Sequence, residues 1–92
     1  MFTTVYTYRA KHGSAKETIR LHQELSVHPA WRAPGFLAGE LLQSLEDPLE
    51  FVEISRFEDE RSARATTRKP EFSAWHARLL DTLEPTRRGP YA

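Results

Sequence analysis

Hydrophobic and polar positions alternate in distinct registers along the chain, and each register predicts an element. Residues 2–9 (FTTVYTYR) crowd Thr, Val and Tyr together, the composition of a β-strand. Ile19, His22, Leu25 and Ser26 then recur at three- and four-residue steps, which is one face of a helix. Ser14 and Glu17 precede that face in S-x-x-E order, the signature of a capping box, and Pro29 stops the helix at or before His28. Pro34-Gly35 marks a turn. Residues 36–45 (FLAGELLQSL) have helical propensities, but Gly39 interrupts them and turn signals bound them on both sides, so a strand is expected. Residues 50–57 (EFVEISRF) alternate around Val52 and Ile54, and the short link from Glu46 to Leu49 makes the two strands an antiparallel hairpin.

Asp59 is placed to cap a helix over 60–67, and Lys69-Pro70 breaks and restarts it, with Pro70 suited to a first helical position. Phe72, Trp75 or His76, Leu79 and Leu83 continue the helical repeat until Pro85. Residues 86–92 are expected as a short irregular tail, with Tyr91 able to begin no more than a brief edge strand beside Pro90. The order strand, helix, strand, strand, helical region is that of an α+β, ferredoxin-like antiparallel sheet in a single domain over 1–92. Both strand phases are apolar. Phe36 and Leu42 fall on one phase of the second strand, Leu37 and Leu41 on the other, and Phe51 and Phe57 oppose Val52 and Ile54. Two helical regions cover only one sheet face, so the other is expected to meet a second copy in a homodimer.

Composition narrows the function. The chain has 92 residues, 13 basic and 13 acidic, and no cysteine, which excludes disulfides, thiolate metal sites and cysteine nucleophiles. Neither half is strongly basic, so nucleic acid is not an expected partner. No apolar run approaches membrane length and no secretory pattern opens the chain, so no membrane is expected and a cytoplasmic location is. No Walker loop, G-x-G-x-x-G fingerprint or G-x-S-x-G elbow occurs, and the four histidines lack a two-ligand spacing. The expectation is therefore a site with neither cofactor nor metal.

The segments PGFLAGELLQS (34–44), EFVEISRFED (50–59) and KPEFSAWHARL (69–79), in that order, resemble the antibiotic-biosynthesis-monooxygenase-like family of dimeric α+β barrels. The resemblance spans nearly the whole chain. It implies a small enzyme, with members that include cofactor-free oxygenases of polycyclic phenols, haem-degrading enzymes, isomerases and polyketide cyclases. In this family the last helix carries a Phe and a His four residues apart, matched here by Phe72 and His76. The haem-degrading branch fits less well: its ligand matches His76, but its Trp is replaced by Thr66 and the chain contains no Asn.

The leading expectation is a cofactor-independent oxygenase acting on an aromatic, polyketide-like phenol. The alternatives are a polyketide cyclase or isomerase working without oxygen, or a non-catalytic ligand-binding dimer. His76 is the candidate base, because an imidazole titrates near working pH. Tyr6 and Tyr8 share a strand phase and offer hydroxyls to a substrate oxygen, and Arg56 is the candidate for charge stabilisation. His22, Trp31, Phe36, Leu42, Phe57, Phe72 and Trp75 are the candidate substrate-lining residues. Each has a blander alternative, as a core, rim or surface residue. No carboxylate is paired with His22 or His76 by spacing alone.

Overall fold

The four strands of the computed structural model lie in the order β2-β3-β1-β4, all antiparallel. They are β1 (Phe2–Arg9), β2 (Phe36–Gln43), β3 (Glu50–Phe57) and β4 (Arg88–Tyr91). Among the described residues three helices join them: α1 (Ala15–Ser26), α2 (Glu60–Thr67) and α3 (Pro70–Leu80). The structure describes residues 1–26 and 34–85, together with the backbone of 88–91. The architecture is the ferredoxin-like α+β fold. The second helical region divides at Lys69, where Pro70 lacks the N–H needed to continue α2 but suits the first position of α3.

The central pair fixes which side chains share a face. Across β1 and β3, Tyr6 stands opposite Glu53 and Tyr8 opposite Phe51, while Val5 faces Ile54 and Thr7 faces Val52. The first set points toward the helices, where Tyr8, Leu21, Phe51, Trp75 and Leu79 form the core with at most 4% exposure. The second set lies on the other face, which no helix among the described residues covers. Trp75 is the largest fully buried side chain, and its indole N–H donates to the Leu21 carbonyl at 2.6 Å, tying α3 to α1.

Four local expectations are corrected. In β2, Phe36 pairs with Phe57 and Ala38 with Arg56, so Leu37 is an extra residue in a bulge. The bulge reverses the phase downstream. Phe36 therefore shares the helix side with Leu41, whereas Leu42 turns to the open face and is 49% exposed. The helical repeat through Leu83 ends a turn early, at Leu80. Leu83 stays buried by bridging Ala10, with Lys11 N–H donating to Thr82 O and Glu84 N–H to Arg9 O, each at 2.8 Å. The capping box is incomplete: Ser14 N–H donates to Lys11 O at 2.9 Å, and Glu17 turns to Arg20 instead. Residues 88–91 are not an irregular tail but an edge strand on β1, with a bulge that accommodates Pro90.

Polar contacts hold the ends of the layers in place. Arg9 Nη1 reaches Asp47 at 2.5 Å and Glu50 at 2.8 Å, and its Nε lies 3.5 Å from Glu84. These pairs fasten the β2–β3 hairpin and the segment after α3 to the end of β1. The Arg9 guanidinium, with the Leu49 N–H, holds the Asp47 carboxyl below the usual range. At α2, Asp59 accepts from the Ser62 N–H at 2.8 Å and from its hydroxyl, and both bonds lower its pKa. Buried Thr18 and Thr82 share a hydroxyl–hydroxyl bond of 2.8 Å between α1 and the segment after α3.

Candidate active site

The helices do not seal the inward face completely. Two cavities, of about 390 and 300 Å³, lie between helices and sheet and share Leu25, Phe36, Glu53 and Ser55 as walls. The first is bounded by α1 and β2 and includes His22, Leu41 and Phe51. The second runs under α2 and α3 and includes Tyr6, Tyr8, Phe57, Thr66, Phe72, Trp75 and His76. Seven candidates named from the sequence therefore meet in the second cavity or its shared wall, and His22 lines the first.

Their rings form an unbroken series. Tyr6 stacks near Tyr8 at 6.5 Å, and Tyr8 lies 6.0 Å from the His22 ring. His22 meets Trp75 edge-on at 5.4 Å, Trp75 lies 5.5 Å from Phe72, and Phe72 stacks on His76 at 5.9 Å. The origin of the series is local. Residues i and i+2 of β1 place both tyrosines on one face, and four-residue spacing in α3 stacks Phe72 on His76. His22 joins it from α1 because the helix repeat turns it inward with Leu25.

At the centre stands Glu53, which sequence reasoning passes over. Its Oε2 accepts the Tyr8 hydroxyl and lies 2.5 Å from His22 Nε2. The other nitrogen of His22, Nδ1, lies 2.9 Å from the Thr18 carbonyl. The His22 and Glu53 side chains retain only 10% and 16% exposure. His22 thus has a carboxylate partner after all, contributed by a strand 31 residues away. One signal was available: Glu53 shares the inward phase of β3 with Phe51 and Phe57. A carboxylate on that phase must find donors or face a cavity.

Other candidates are not brought to this place. Arg56 belongs to the opposite face of β3, where it is ion-paired with Glu40. Leu42 lies on that same open face. Trp31 lies outside the described residues. Among the described residues no three His, Asp or Glu groups converge as metal ligands, and no helix is long and apolar enough to cross a membrane.

Comparison with known proteins places the fold. The family model described as antibiotic biosynthesis monooxygenase matches residues 1–78. Among solved structures, SnoaB, a cofactor-independent oxygenase from Streptomyces nogalater, superposes with a TM-score of 0.81 at 21% identity, covering 98% of this chain and 89% of that one. A conserved protein from Methanosarcina mazei Go1 gives 0.83 at 20% identity, covering 97% and 88%. PA3566 from Pseudomonas aeruginosa gives 0.74 at 23% identity, covering 94% and 85%. Likeness at these identities establishes the fold. Among curated proteins no sequence match was found.

Proposed function

Because the chain belongs to the antibiotic biosynthesis monooxygenase family, we propose that it is a cofactor-independent oxygenase for a flat, polyketide-like phenol. The observation that carries this reading is the aromatic-walled cavity that an imidazole, His76, lines together with two tyrosines. SnoaB, which shares the fold, is itself a cofactor-independent oxygenase.

The chemistry asks little of the protein. His76 takes a proton from the phenol or its activated methylene, and the electron-rich anion reduces oxygen directly. The resulting peroxide breaks its O–O bond. One oxygen stays as the new carbonyl of a quinone, and the other leaves as water with the two hydrogens lost from the substrate, both from carbon for the methylene and one each from carbon and oxygen for the phenol. Tyr6 supplies a hydroxyl toward the developing oxyanion, and Phe57, Phe72 and Trp75 keep the anion away from bulk water. The open sheet face, with Val5, Val52, Ile54 and Leu42, is covered by a second copy, and the dimer works in the cytoplasm.

Oxygen uptake with a panel of polyphenols tests the reaction. Consumption of oxygen with quinone formation, reduced at least about tenfold in His76→Ala, is the expected result. Product formed equally fast in anaerobic buffer would replace the oxygenase with a cyclase or isomerase. Light scattering tests the assembly: the expected mass is twice the 10.6 kDa of one chain.

A further inference from the structure

The His22–Glu53 pair differs from the other ion pairs among the described residues in its seclusion. No partner in any of the arginine–carboxylate pairs has a side chain less than 22% exposed. Neighbours fix its hydrogen inventory. Nδ1 faces the Thr18 carbonyl, which only accepts, so Nδ1 carries a hydrogen. Glu53 Oε2 receives the Tyr8 hydroxyl and lies 2.5 Å from Nε2, so a hydrogen also lies between Nε2 and Oε2. Wherever it sits on that line, the pair is neutral overall. Both nitrogens of His22 are then committed, and His22 has no atom left to act on a ligand. Glu53 has one. No hydrogen bond among the described residues reaches Oε1, and Glu53 stands in the wall that the two cavities share.

We propose that Glu53 Oε1 is the anchor for a phenolic hydroxyl of the ligand, with Tyr8 and His22 as positioning residues that hold the carboxylate still. The identity of the ligand as a phenol rests on the oxygenase reading; the need for a hydrogen-bond donor does not. The oxygen can only accept, so the ligand must bring an O–H or N–H. The neutral pair offers an ammonium group no net attraction, and the neighbouring Leu25 and Phe36 suit a flat ring. A methyl ether of the same ring cannot donate and leaves Oε1 without a partner, so it binds more weakly.

Calorimetric titration of the full chain with a dihydroxynaphthalene and with its dimethyl ether tests this. The diol should bind at least about tenfold more tightly than the ether. Glu53→Gln is a poor probe, because the amide nitrogen can turn to His22 and leave a carbonyl oxygen at the Oε1 position. Replacing both partners, His22→Leu with Glu53→Leu, removes the acceptor and leaves only the Tyr8 hydroxyl, not the imidazole, without it. In that variant the preference should fall to within about twofold. Glu53→Met, similar in length and without oxygen, serves if the double variant does not fold. Equal affinities for diol and ether, a preference that survives either variant, or diol binding weaker than about millimolar would overturn the proposal. The two readings fail separately. Diol preference with no oxygen uptake from any phenol defeats the oxygenase and leaves the anchor standing. Oxygen uptake with indifferent binding does the reverse.

Discussion

The two faces of the sheet are made from the same strands and do opposite work. On the helix side, β1 and β3 present Tyr6, Tyr8, Phe51, Glu53 and Phe57, and there the Tyr8 hydroxyl and His22 Nε2 meet one oxygen of Glu53. On the other side the same strands present Val5, Thr7, Val52 and Ile54, with Arg56 and Glu40 paired at the margin. The inward face gains its character from residues brought across long stretches of chain. Tyr8 and Glu53 are 45 residues apart, and Trp75 and Leu21 are 54 apart. The outward face is a strip of β-branched side chains whose neighbours are set by strand register alone. Cavities and secluded polar groups therefore collect where helix and sheet layers meet, and the open side is an apolar strip.

The largest blow to the inward face is Trp75→Ala, which empties the centre of the core and removes the α3–α1 hydrogen bond. A loss of about 3–5 kcal/mol in urea unfolding is expected, enough to leave this small domain barely folded. Glu53→Leu alone should cost about 3 kcal/mol, because it leaves His22 and Tyr8 without their acceptor. The paired His22→Leu, Glu53→Leu variant should recover the part of that loss due to His22 in the same assay, since only the Tyr8 hydroxyl then lacks its acceptor. If the single variant is as stable as wild type, the carboxylate is not a structural centre of this face.

The opposite face should respond differently. Ile54→Lys should leave the far-ultraviolet circular dichroism spectrum unchanged and reduce the light-scattering mass to that of one 10.6 kDa chain. Arg56→Ala, which breaks only a half-exposed ion pair, should change stability by under about 1 kcal/mol. An oxygenase rate reduced by Arg56→Ala in a dimer of unchanged mass would show that the open face takes part in the chemistry. The smallest effect lies outside both faces. Asp59 has a lowered folded-state pKa because Ser62 donates to its carboxylate. Its stabilisation is therefore complete above the unfolded pKa and disappears as pH falls through the lower folded value. Asp59→Ala should lower the melting temperature slightly at neutral pH and reduce the acid sensitivity of that temperature. Equal acid sensitivity in both proteins would remove Asp59 as a cause.

Strand-forming composition was enough to place β1, alternation to place β3 and Pro70 to place the break after Lys69, because each depends on near neighbours in the chain. The bulge at Leu37 was not legible. An extra residue in a strand leaves no mark in the composition, and it moved Leu42 from a supposed pocket wall to the open face. The early end of α3 was hidden in the same way, since Leu83 satisfies a helical repeat and a strand bridge equally well. Phe72, Trp75, His76 and the two tyrosines were found by spacing and resemblance. Glu53 was not, because a carboxylate in an alternating strand looks like an ordinary solvent-facing residue until something crosses over it.

What the sequence determined by itself was β1 to β3 and the helical regions, their order and the apolar character of both sheet faces, all consequences of backbone propensity and side-chain period acting over a few residues. Only the tertiary structure decided which phase faces the helices, where the register slips, and that His22 and Tyr8 converge on one carboxylate oxygen. Those outcomes depend on layers packing across tens of residues, and a hydrogen bond between distant elements exists only once that packing has set the distance between donor and acceptor.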